Sequence, residues 1–352
     1  MKNTKKIILI IIFSLAFQWM VYALLNWKAD ELLNPFFRLN RSYSVDAELK
    51  NAHRFTLSYN NKFLSCISDN ELCIINLTSN KKIKYKEDPV IAEGIILGYK
   101  WLPDRNSLLY VKKNPLTGVS SVYSLDLDEI SVSGSGAGFD ATLERTINFP
   151  MEQIFDIQIS TYTNNLYFLY KDQEAKHKIL KMDIMKNINR MDNPNEEINK
   201  IFVSNRFGNL FLESREGTIK TILSQLDRER TVLTEGEKNI LLGCEDNKVY
   251  IGKLKDSLLE GIFSILVDPN GKKLQTQEIW QGEIPYDPVY VRVSADDKVM
   301  IQNTRRLDII RADGKHDSRN MPEGTVVLSD TGKTFMQIIP GRDSLVYYWR
   351  SI

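Results

Sequence analysis

"WLPDRNSLLYV", residues 101–111, is the stretch whose reading decides the fold. A turn cluster, Pro103, Asp104, Arg105 and Asn106, runs directly into an apolar stretch, Leu108, Leu109, Tyr110 and Val111. Asp and Asn side chains bond nearby backbone groups and tolerate left-handed φ, so such a cluster makes a tight turn. The aliphatic and aromatic residues after it suit a strand. The phrase recurs. "SYNNKFL" begins at 58, "SADDKVM" at 294 and "SDTGKTF" at 329. Looser copies begin at 160 ("STYTNNLYFLY"), 204 ("SNRFGNLFL") and 243 ("GCEDNKVYI").

With the copy at 102, these starts are separated by a mean of about 45 residues, the period of a propeller blade. A second turn and strand follow in many units, as in "CISDNELCIINL", "VSSVYSLDLD", "FSILVDPNGKKLQ" and "LDIIRADGK". Each unit therefore reads as three or four short antiparallel strands. One unit alone exposes its apolar faces, and radial stacking buries them. The fold class is all-β, a seven-bladed β-propeller over residues 43–352; the spacing alone leaves six or eight blades open. "SVSGSGAG" at 131–138 reads as an insertion, and 186–199 as a polar connection. The last unit lacks an outer strand. Residues 43–49 alternate apolar and polar with period two, and the reading pairs them beside 344–350 to close the ring.

The phrases "S/P-D-x-x-K/S-hydrophobic", with third strands such as Val122-Tyr123-Ser124-Leu125-Asp126-Leu127-Asp128, resemble WD-repeat-like bacterial propellers of the TolB-like and dipeptidyl-peptidase-IV N-terminal kind. The resemblance spans about residues 55–350 and implies a fold more than a function. No Trp-Asp dipeptide ends a unit. The G-x-S-x-G pentapeptide of the propeller peptidases' hydrolase domain does not occur in the chain.

The first thirty residues give a compartment. Lys2, Lys5 and Lys6 precede an uncharged run at 7–25. As a helix its 19 residues span roughly 29 Å, about the thickness of a bilayer's hydrocarbon core. Basic residues on the N-terminal side predict that this end stays in the cytoplasm and the rest crosses. Residues 1–27 read as a single-pass membrane anchor, with a cleaved signal peptide as the rival, and 28–42 as a linker. Both readings place the propeller outside the cytoplasm. The cytoplasmic stub of about six residues offers a signalling domain no room within this reading.

The 46 basic and 45 acidic residues leave a net charge of +1. No clustered positive face calls for nucleic acid. Three cysteines do not make a disulfide framework. If Asp69-Asn70 is a two-residue hairpin turn, Cys66 lies opposite Cys73. A bridge is within reach there but strained, and two free thiols are the preferred reading. His53 reads as the start of an inner strand, His177, between Lys176 and Lys178, as part of a solvated turn, and His316 as following the Asp313-Gly314 turn; the three are far apart and show no metal-ligand spacing. The expectation is no metal, no cofactor and no catalytic constellation. Residues 280–288, "WQGEIPYDP", read as a rigid loop between units five and six, with Trp280, Tyr286 and Tyr290 as candidate partner-binding residues. The functional expectation is a membrane-anchored extracytoplasmic module that binds an envelope protein or glycan. The alternative is an envelope glycan hydrolase or lyase using channel-facing carboxylates.

Overall fold

The computed structural model describes residues 15, 17–22, 42–45, 49, 51–86, 94–128, 139–148, 150–191, 197–222, 230–236, 238–294, 296–329, 334–340 and 345–351. Seven four-stranded antiparallel sheets follow one another along the chain. Blade 1 consists of His53–Leu57, Phe63–Ser68, Glu71–Asn76 and Lys81–Lys82. The first strands of blades 2 to 7 are Ile95–Trp101, Gln153–Ser160, Ile198–Val203, Asn239–Glu245, Tyr290–Val293 and Thr325–Leu328. First strands touch at five of the seven junctions between neighbouring blades, which puts them at the hub. The fold is a seven-bladed β-propeller.

Every repeated phrase sits at the same place, the turn from the first to the second strand of its blade. The Asp or Asn in the phrase supplies the left-handed residue: Asn61, Asn164, Asp246 and Asp297 have φ of 53°, 47° or 59° (59°, 53°, 47° and 59° in that order), and Gly208 takes the position at 69° in blade 4. The opening serine is buried and holds the turn. Ser58, Ser160, Ser204, Ser294 and Ser329 accept N–H groups of Phe63, Thr163, Phe207, Lys298 and Thr334 at 3.1–3.3 Å. Two of them also tie blade to blade: Ser160 Oγ donates to the Asn205 carbonyl at 2.9 Å, and Ser204 Oγ to that of Asp246 at 2.5 Å. Blade 2 uses another device. Asn106 donates its backbone N–H and its Nδ2 to the Asp128 carboxylate at 3.0 and 2.6 Å.

The ring closes as the alternation at 43–49 predicts. Blade 7 contributes Thr325–Leu328, Thr334–Pro340 and Leu345–Ser351, and its fourth strand is Ser42–Val45 from the other end of the chain. Tyr43 pairs with Tyr347 and Val45 with Leu345 in an antiparallel ladder. Residues 46–48 lie outside the described residues. The Tyr43 and Tyr347 rings stack with centroids 5.2 Å apart. Tyr347 donates its hydroxyl to Asn80 Oδ1 at 2.7 Å and to the Leu77 carbonyl at 3.3 Å, both in the turn after the third strand of blade 1. Val45, Leu57, Cys66, Cys73, Leu345, Tyr347 and Trp349 share one apolar cluster, so the seam between blades 7 and 1 is packed like the blade interfaces elsewhere.

Three element readings need correction. Residues 280–285 are the end of a strand, Lys273–Pro285, the outer strand of blade 5. Three register shifts along its partner, Leu258–Val267, break the alternation that would have marked it. Within 186–199, Ile188–Arg190 is the outer strand of blade 3, a three-residue edge paired to 180–182. His177 does not sit in a solvated turn; it starts the third strand of blade 3, where Nδ1 donates to the Ile198 carbonyl at 2.7 Å. The insertion at 131–138 lies outside the described residues and falls between the third and fourth strands of blade 2. The expected anchor, residues 1–27, lies largely outside them too. Leu15 and residues 17–22 are helical, and among the described residues no helix is long and apolar enough to cross a membrane.

Candidate functional site: the hub and its open face

Antiparallel connectivity sorts the loops. Turns between first and second strands, and between third and fourth, lie on one face of the ring. Turns between second and third strands, and the connections between blades, lie on the other, here called the open face. Each first strand therefore starts at the open face.

Five of the seven first strands carry a β-bulge near that start. Register shifts occur at His53/Thr56, Ile96/Gly98, Ile154/Asp156, Ile198/Lys200 and Leu241/Gly243. A bulge adds a residue to one strand, bends it and re-aims its side chains. Repetition at one place in the unit turns backbone carbonyls and selected side chains toward the mouth of the hub. Arg54, held at φ 56° inside the blade 1 bulge, donates to the Leu97 carbonyl of blade 2 at 3.0 Å and to the Ile154 carbonyl of blade 3 at 3.5 Å. One guanidinium thus satisfies bulge carbonyls from two further blades. Tyr99 bonds the Arg54 carbonyl and donates to that of Ser65 at 3.0 Å, and burial raises the pKa of its phenol. Beyond the bulges the blades approach closely. A Cβ on Gly243 would come within 2.7 Å of Val293 Cγ2 in blade 6.

Below this mouth the hub is charged. Asp156 of blade 3 accepts Gln158 Nε2 at 2.7 Å. Burial raises its pKa, opposed by the ammonium groups of Lys100 from blade 2 and Lys200 from blade 4 and by two hydrogen bonds. Burial lowers the pKa of Lys200, against the pull of Glu213 and Asp156; its Nζ lies 5.4 Å from the Phe202 ring centroid. Burial likewise raises Glu213, which accepts the Leu241 N–H of blade 5 at 2.6 Å. Asp297, in the blade 6 turn, takes both Lys248 and Tyr250 of blade 5, and burial together with this carboxylate raises the pKa of the Tyr250 phenol. Charge in the hub therefore links blades through carboxylates and cations drawn from different sheets.

The aromatic residues singled out in the sequence separate here. Trp280 is 8% exposed and packs with Leu242, Ile262 and Ile301 between blades 5 and 6. Tyr286 lies against the same cluster, and burial raises its pKa. Tyr290, at the open-face start of blade 6, is 41% exposed beside Val289 at 67%. Other exposed apolar residues share that face: Ile95, Leu116, Ile339 and Phe155, whose ring lies 4.5 Å from His177. Phe155 is the extra residue of the blade 3 bulge, which explains why its position in "EQIFDIQIS" gives no sign of exposure.

The histidines have separate surroundings. His53 starts the first strand of blade 1, as the sequence predicts, and its Nδ1 donates to the Asn51 carbonyl at 2.9 Å. His316 Nε2 donates to Asp308 at 2.8 Å, Arg306 Nε to the same buried carboxylate at 2.7 Å, and Trp280 meets the His316 ring edge-on. Among the described residues no group of three or more His, Cys, Asp or Glu side chains could hold a metal.

No family model matches the chain, and no curated protein matches it. Solved structures do. A chain of the crystal structure of a mitotic checkpoint complex superposes with a TM-score of 0.54 at 11% identity, over 89% of this chain and 95% of that one. The β-propeller domain of Cps50 (Swd1) from Myceliophteria thermophila gives the same score and identity over 89% and 99%. At this identity the likeness shows the fold alone. The protein is a WD40-like seven-bladed β-propeller.

Proposed function

We propose that this chain is a membrane-anchored, extracytoplasmic binding module whose open face receives a protein of the cell envelope. The observation that carries the reading is the set of exposed apolar side chains on that face. Phe155 and Tyr290 start first strands of a ring closed on itself, so a rigid scaffold presents them without an ordering cost. Rigid exposed aromatics anchor protein partners more effectively than flexible ones. The likeness to a chain of a mitotic checkpoint complex supports a protein partner, since that chain is part of a complex. The location rests on Lys2, Lys5 and Lys6 ahead of the uncharged run at 7–25. The turn phrases support a bacterial TolB-like subtype.

Photo-crosslinking residues placed at 155 and 290 of the full chain, in its native membrane, test the binding reading. A common partner at both positions is the expected result; no adduct at either position contradicts it. A C-terminal topology reporter active inside the cell would contradict the location.

The second reading, a glycan hydrolase or lyase, is favoured by Asp156 and Glu213, two buried carboxyls whose pKa values burial raises, the direction in which a general acid is tuned. Turnover on envelope glycans that Asp156→Asn abolishes would establish it.

A further inference from the structure

Two of the chain's three cysteines lie face to face in blade 1. Asp69 and Asn70, at φ 49° and 66°, form a two-residue turn between Phe63–Ser68 and Glu71–Asn76. Counting outward from it, Ser68 pairs with Glu71, Ile67 with Leu72 and Cys66 with Cys73. This register makes Cys66 and Cys73 a hydrogen-bonded pair, with Cα atoms about 5.5 Å apart, inside the roughly 4.4–6.8 Å range of disulfides. The neighbouring Cys73 and burial push the Cys66 thiol pKa up. Both thiols are free and fully buried. The closure takes part in that burial: they share a cluster with Val45, Tyr347 and Trp349, all from blade 7, as well as with Leu57, Leu64 and Ile75 of their own blade.

We propose that Cys66 and Cys73 are an oxidation site that closes into a cross-strand disulfide while the seam between blades 7 and 1 is open, and that ring closure then shields the pair from oxidant. The oxidant is a disulfide, either glutathione disulfide or the active-site disulfide of an oxidoreductase. The Cys73 thiolate attacks one of its sulfurs, breaks that S–S bond and expels one thiolate, leaving a mixed disulfide on Cys73. Cys66, after losing its proton to solvent, attacks the Cys73 sulfur and expels the second thiolate. The protein loses two electrons and two protons, and the oxidant becomes two thiols. The exchange balances equally with the two sulfurs interchanged. Attack needs an approach to the sulfur, and in the closed ring both sulfurs are fully buried within the cluster that Val45, Tyr347 and Trp349 complete.

The test uses the full chain, purified reduced. One sample meets glutathione disulfide while folded, the other while refolding from urea; both are alkylated and mapped by mass spectrometry. Refolding is expected to yield a 66–73 link with Cys244 as the one alkylated thiol. The folded sample is expected to keep three. Three free thiols after refolding, or glutathione adducts with no 66–73 link, overturn the pairing. A folded sample that bridges as fast as the refolding one overturns the shielding. Tyr43→Ala, which removes the stack on Tyr347, is expected to speed bridging of the folded protein several-fold, and an unchanged rate counts against the seam as the gate. Should that variant not fold, wild type in urea below its unfolding midpoint gives the same readout.

Discussion

Val45→Ala probes the closure with a small, well-defined loss. Val45 is fully buried, lies opposite Leu345 in the closing ladder and packs in the cluster that holds Leu57 and Tyr347. The substitution removes two carbons from a sealed site. At about 0.8 kcal/mol per buried carbon the transfer loss is about 1.6 kcal/mol. A cavity left unfilled adds about 1 kcal/mol. The sum is about 2–3 kcal/mol. With an m-value of about 3 kcal/mol/M in urea, the midpoint moves down by about 0.7–1 M. Tryptophan fluorescence follows the change directly, since Trp349 belongs to the same cluster. Val299→Ala, equally buried in blade 6, is the matched control. The two variants should lose similar equilibrium stability, but only Val45→Ala should speed amide exchange at 345–348. A Val45→Ala cost below about 0.5 kcal/mol would refute the docked fourth strand, because a solvent-facing valine costs little to trim.

Other outcomes follow from the same geometry. Ser160→Ala deletes a buried hydroxyl that bonds the Thr163 N–H and the Asn205 carbonyl; leaving both unpaired should cost about 1–3 kcal/mol, read by urea unfolding. Asp156 has a folded pKa above its unfolded value, so the folded state binds more protons across that window and loses stability as pH rises through it. Asp156→Asn should flatten that decline, and parallel melting curves against pH for the two proteins would contradict the buried carboxyl. Phe155→Ala and Tyr290→Ser, at exposed positions, should leave the melt within about 0.5 kcal/mol while lowering partner recovery in crosslinking.

What the sequence disclosed and what it hid differ in physical kind. The turn phrases were legible because left-handed φ and serine capping demand particular residues, and Asn61, Asn164 and Asp297 sit where that demand falls. The closing strand was legible because one buried face imposes period two on Tyr43 and Val45. The Cys66–Cys73 register followed from a two-residue turn that fixes every pair beyond it. The bulges were not legible: one extra residue in "AEGIILGYKW" or "NEEINKIFV" changes the register and leaves the composition alone. With the bulges went the candidate site, since Phe155 and Arg54 owe their placement to them. Lys100, Asp156 and Lys200 are far apart in the sequence, and only the ring brings them together. Trp280 misled for the opposite reason. A polar run ending at Pro285 looks like a connection, yet it is a long outer strand covering a buried indole.

The fourth strand of blade 7 has a mechanical consequence. Any tension transmitted through the residues that precede Ser42 enters the molecule at a ladder of four residue pairs, Ser42 with Tyr348 through Val45 with Leu345. Force on the leader therefore loads the closing joint first, and the other six sheets feel it only after that joint has let go. A pulled molecule should yield in two steps, a short early extension as the joint peels and a longer one as the uncoupled ring unravels.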